Sequence, residues 1–176
     1  AIIFLRQKRK TWKQVKSILD ESNKAYQEAE GISFDYSFDP YAMINHLQLS
    51  GVLGEPVKNH HQLVEKAQEA ARRSFRKAHD FSSAVMVADA EVAQFLLDPL
   101  PAKFNKDKSS DMLIHMYVEA VKDVPRSNRQ LSSAVEQLQY LVSFLDKSVP
   151  KGDKDGVENS KKARVLSAVA VGLSKL

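Results

Sequence analysis

Residues 84–97 read Ala84-Val85-Met86-Val87-Ala88-Asp89-Ala90-Glu91-Val92-Ala93-Gln94-Phe95-Leu96-Leu97, an apolar run interrupted only by Asp89, Glu91 and Gln94. Neither glycine nor proline occurs between positions 57 and 98, so no residue type that breaks a helix falls in this interval. A helix that is apolar nearly all round is buried on most of its sides. Its 14 residues include two acids, too short and too charged to cross a bilayer. The segment is therefore predicted to be the central helix of a helical core. Within it, Asp89 needs a partner if it is buried. Arg72 and Arg76 on the preceding helix are the natural candidates.

Upstream of this run, Leu63, Val64, Ala67, Ala70, Ala71, Phe75 and Ala78 recur at three- and four-residue spacing across positions 59–79. The other face carries Glu65, Lys66, Glu69, Arg72, Arg73, Arg76 and Lys77, with Glu69 and Arg73 in the favourable i,i+4 order. Asp80 to Ser83 is read as the turn between the two helices. Downstream, Asp98-Pro99-Leu100-Pro101 and the stretch Lys103 to Lys108 form the longest loop, a soft boundary over 98–109. Ser109 or Ser110 caps a helix to about Lys122, apolar at Met112, Leu113, Met116, Val118 and Val121 and ended by Pro125. Ser127 caps another, in which Leu131, Ala134, Val135, Leu138, Leu141, Val142 and Leu145 make the clearest heptad-like stripe of the chain. Residues 147–157 are read as a mobile linker. A last helix, from about Asn159 to Leu173, is apolar at Ala163, Leu166, Val169, Ala170 and Leu173.

Toward the N-terminus, Trp12, Val15, Leu19, Ser22 and Tyr26 predict a long helix from about Ile3 to Glu30, with Gly31 as its left-handed cap. Residues 32–39 then alternate apolar and polar without exception, the period of extended backbone. No second segment alternates as well, so the reading is a short extended stretch near 32–38 that docks Phe34, Tyr36 and Phe38 onto helices. Asp39-Pro40 starts a short helix over Tyr41–Leu49, stopped by Gly51. The fold class is all-α: an irregular bundle of six or seven helices in one domain spanning 1–176, without internal repeats.

The composition narrows the chemistry. The chain has 176 residues, 43% of them hydrophobic and 27% charged, which suits a folded domain with a sizeable core. It contains no cysteine, which removes disulfides, thiolate metal sites and cysteine nucleophiles. Phosphate-cradling glycine loops and the GxSxG elbow are absent as well. Among His46, His60, His61, His79 and His115, no two stand four apart on a helix, so each is read as structural and no metal or other cofactor is expected. A site assembled across helices, with Glu28 or Glu30 for example, is the remaining route. Asp89 and Glu91 point about 200° apart on a helix and do not form an acid–base pair. The expectation is a protein that is not an enzyme.

Charge is the remaining signal. The formal net charge is +4, yet Arg6, Lys8, Arg9, Lys10, Lys13 and Lys16 fall within residues 6–19 without a single acid. Together with Ala1-Ile2-Ile3-Phe4-Leu5 they read in two ways: a first helical turn packed inward and then solvated, or the cytoplasmic end of a membrane span. Arg72, Arg73, Arg76 and Lys77 form a second cluster, suited to carboxylate or phosphate recognition. The function expected is a helical protein-interaction or scaffold module, cytoplasmic and at the face of a membrane in the second reading. It would bind an acidic protein partner through these basic faces and an apolar groove through the aromatic stretch. An anionic membrane surface is a further partner, and a DNA- or RNA-binding helical protein is the alternative. The sequence decides neither the oligomeric state nor the partner.

Overall fold

The computed structural model describes residues 11–36, 40–125, 128–148 and 154–176. Among them are seven α-helices and no strand. They are α1 (Trp12–Tyr36), α2 (Pro40–Leu53), α3 (His60–Ala78), α4 (Phe81–Leu97), α5 (Lys106–Val121), α6 (Asn128–Ser148) and α7 (Lys154–Leu173).

The central role of the 84–97 stretch is borne out. Helix α4 packs against α2, α3, α5 and α6. The larger apolar cluster gathers Val92 and Leu96 of α4 with Val15, Leu113, Tyr117, Leu138, Leu145, Leu166 and Val169. A smaller one joins Ala90 and Ala93 to Met43, Ile44, Leu47, Val64 and Ala67 of α2 and α3. Small residues on the α2–α3 side of α4 let those helices approach closely. On the α2 side the fit also needs Gly51, where an added Cβ would lie 2.7 Å from the Leu96 Cβ and 3.0 Å from its carbonyl carbon. Gly51 therefore does not stop α2, contrary to expectation. It is the surface on which α4 rests, and the chain leaves the helix at Gly54, whose φ of +71° favours glycine.

Two further expectations are corrected. Helix α1 runs through Gly31 to Tyr36, so residues 32–36 of the extended segment are helical, and 37–38 lie outside the described residues. Alternation over a few residues cannot outweigh continuation of an existing helix when no strand offers a ladder, and one interior glycine costs only about 1 kcal/mol. The linker read over 147–157 also narrows, because α6 runs to Ser148 and α7 begins at Lys154. Elsewhere the caps explain the boundaries. Asp80 accepts from the Ser83 N–H at 2.7 Å and opens α4, and Asn105, rather than a serine, accepts from the Lys108 N–H at 3.0 Å and opens α5. No helix among the described residues is long and apolar enough to cross a membrane.

Candidate functional site

Two places on this scaffold gather chemistry. The first is the outer face where α3, α4 and α5 meet. Helices α3 and α4 are joined by only His79 and Asp80. His79 adopts a left-handed φ of 49°, and its N–H returns to the Phe75 carbonyl at 2.8 Å, so the chain reverses at once. That reversal sets the outer face of α3 beside α5. Between them lies a cleft of about 380 Å³, walled by Phe75, Ala84, Val87, Met116 and Ala120, with Arg72, His115 and Glu119 at its edge. Met112 stands one turn before Met116 and is 51% exposed, so the apolar surface continues along α5.

Arg72, Arg73, Arg76 and Lys77 are all exposed on α3. Arg73 reaches Glu69 at 3.6 Å, both side chains being solvated. Among the described residues no acid lies within ion-pair distance of Arg72, Arg76 or Lys77. Glu119, the acid at the cleft edge, is held by Lys122 of its own helix at 2.6 Å, which lowers its carboxyl below the usual range. The rim is therefore positive and the floor apolar. Arg76 and Lys77 in the last turn also complement the α3 dipole, a modest structural role.

The other basic and aromatic candidates divide. Lys13 is exposed on α1, whereas Lys16 pairs with Asp20 at 2.8 Å. Arg6, Lys8, Arg9, Lys10 and Phe38 lie outside the described residues, as do the side chains of Phe34 and Tyr36.

Asp89 is buried, so the condition for a partner is met, but that partner is not Arg72 or Arg76. The Tyr117 hydroxyl on α5 donates to Asp89 Oδ1 at 2.5 Å, and Gln48 Nε2 on α2 donates to the Asp89 carbonyl at 2.9 Å. Gln137 of α6 donates to Gln48 at 3.1 Å, so one polar chain ties four helices. Burial pushes the Asp89 carboxyl up to about 6, against which the Tyr117 hydrogen bond works. A second buried charge, Lys162, is 5% exposed; it donates to the Leu96 carbonyl at 2.8 Å and pairs with Glu158 at 2.8 Å. It thereby satisfies an otherwise open carbonyl at the end of α4.

The second place lies at the opposite end of α3. His60 and His61 open that helix, and Asp98 closes α4. Pro99 restricts Asp98 to extended backbone, observed at φ −73° and ψ 140°, which ends the helix there. His60 Nε2 lies 2.7 Å and His61 Nε2 3.5 Å from Asp98 Oδ1. Gln94 Nε2 lies 3.3 Å from His61 Nδ1 and 3.4 Å from Asp98 Oδ2. The ligating atoms of these three residues sit within 4.8 Å of one another, the one such group of three among the described residues. His46, His79 and His115 do not join it, and Glu28 pairs with Lys24 on its own helix at 3.9 Å. His60 also forms part of the wall of a cleft of about 630 Å³ with Trp12, Lys16, Glu158, Asn159 and Lys162. Spacing along the chain could not reveal this cluster, because Asp98 stands 38 residues from His60.

No protein-family model matches the chain, and no curated protein or solved structure matches it either.

Proposed function

We propose that this chain is a non-enzymatic helical interaction module whose α3–α5 face captures an acidic, amphipathic helix of a protein partner. The observation that carries the reading is the unpaired Arg72 at the edge of the apolar cleft of Phe75, Val87 and Met116, with Arg76 exposed one turn further along α3. A helix laid in that cleft would bury its apolar stripe on the methionines and turn its acids toward the arginines. Arginine suits this role because its planar fork binds a carboxylate through two hydrogen bonds. Methionine suits the floor because it is flexible and polarizable. The five apolar residues followed by Arg6, Lys8, Arg9 and Lys10 support the finer part of the reading, a place at the cytoplasmic face of a membrane within a larger assembly.

The test is fluorescence anisotropy with a labelled acidic amphipathic helical peptide and, separately, a short DNA duplex, each at low and moderate salt. The peptide is expected to bind the native protein. Reversing three charges of this basic cluster (Arg72→Glu, Arg73→Glu and Arg76→Glu) should weaken it by about threefold to a hundredfold, since exposed pairs contribute roughly 0.2–1 kcal/mol each. Circular dichroism should remain unchanged, because all three side chains are solvated. Peptide affinity that ignores the reversal overturns the proposal. Duplex binding that exceeds peptide binding and falls steeply with salt replaces it with nucleic-acid recognition.

A further inference from the structure

We infer that His60, His61 and Asp98 bind a divalent first-row transition metal, with Zn²⁺ as the representative ion. The inference is independent of the interaction surface, which lies at the other end of α3.

The donor set is two imidazole nitrogens and one carboxylate oxygen. Imidazole ligands suit zinc, copper, nickel or iron, whereas calcium and magnesium favour oxygen throughout. Zinc–nitrogen and zinc–oxygen bonds of about 2.0–2.1 Å in a tetrahedron place ligand atoms about 3.3 Å apart. The observed separations from Asp98 Oδ1, 2.7 Å to His60 and 3.5 Å to His61, bracket that edge. All three donor atoms lie within 4.8 Å of one another. The two rings already stand together, with centroids 4.2 Å apart.

A metal-bound histidine directs its second nitrogen to an acceptor. His61 Nδ1 faces the Gln94 side-chain amide at 3.3 Å, and turning that amide over presents its oxygen to the ring N–H in exchange for its 3.4 Å hydrogen bond to Asp98 Oδ2. Gln94 is thus a positioning residue. Glu158, across the neighbouring cleft, is committed to Lys162 at 2.8 Å and the Leu100 N–H at 3.3 Å, and is not a ligand. Three protein ligands leave a coordination position for water, the composition of an open site.

Helix stability gives these residues little reason to be here. A carboxylate at the C-terminal end of α4 opposes that helix's dipole, so the cap itself does not account for Asp98. Local choices that work against stability concentrate at functional sites.

The experiment titrates the purified protein with Zn²⁺ alone by calorimetry, and with Co²⁺ alone by visible absorption. One equivalent of either ion is expected to saturate the site, with Co²⁺ giving the d–d bands of a low-coordinate nitrogen–oxygen environment. His60→Ala, His61→Ala and Asp98→Asn should each weaken Zn²⁺ by more than about tenfold, and Gln94→Ala by about tenfold. His79→Asn, at the far end of α3, should leave it unchanged, since asparagine also tolerates left-handed backbone. Circular dichroism of each variant confirms the fold; one that fails to fold is replaced by His60→Gln or His61→Gln, judged by the same criterion. Absence of saturable binding, or binding that survives the loss of His60 or Asp98, overturns the inference.

Discussion

The sharpest test of the packing is Asp89→Asn. In the native protein a carboxyl that ordinarily titrates at 3.8 is pushed up to about 6 by burial in α4, with the Tyr117 hydroxyl as its side-chain hydrogen-bond donor. The folded state therefore holds a proton that the unfolded state releases, and stability falls as pH rises between 3.8 and about 6. Below that window the group is neutral in both states and its contribution is fully present. Above it the buried anion costs roughly 3 kcal/mol, at about 1.36 kcal/mol per pH unit of separation. Asparagine has nearly the same shape, accepts the Tyr117 hydrogen bond and carries no charge. Urea denaturation at pH 4, 5, 6 and 7.5 should show the variant gaining on the native protein by up to about 3 kcal/mol as pH rises. Most of that gain should appear by pH 7. Contributions from the other carboxylates are common to both proteins and cancel in the difference. A stability difference independent of pH, or one that grows toward acid, would refute the reasoning.

Two packing predictions accompany it. Gly51→Ala gains about 1 kcal/mol of helix propensity but drives a methyl into the Leu96 Cβ and backbone, so a net loss of about 1–2 kcal/mol by urea denaturation is expected; a more stable variant would contradict the close α2–α4 approach. Lys162→Met removes the donor to the Leu96 carbonyl and the partner of Glu158, and should lower stability by about 1–3 kcal/mol; a neutral outcome would mean water replaces the ammonium.

The helices that apolar spacing defines most cleanly, α3, α4 and α6, were legible in the sequence because each buries one stripe or its whole surface. Leu138, Leu141 and Leu145 are buried where the heptad-like pattern put them, and Trp12 packs on the core as read. What failed depended on partners distant in the chain. Gly51 reads as a helix stop until Leu96 is seen against it. Asp89 finds Tyr117, 28 residues downstream, rather than an arginine one helix upstream. Those arginines lie on the solvated side of α3, where the amphipathic pattern had in fact placed them. Period-two alternation at 32–36 misleads because it measures side-chain polarity, while the backbone follows the helix already formed. The His60–His61–Asp98 cluster was invisible for the same reason as the tyrosine. Its third member arrives from the end of the next helix.

The central claim is that the α3–α5 cleft is a docking surface, and the four methionines report on it directly. Met112 and Met116 lie on its α5 side, while Met43 and Met86 belong to the separate α2–α3–α4 cluster. Titrating methyl-labelled protein with an acidic amphipathic helical peptide and following the methionine resonances by NMR should shift Met112 and Met116 progressively to saturation, with Met43 and Met86 unmoved. Resonances that all stay still, or shifts confined to Met43 and Met86, would contradict the account.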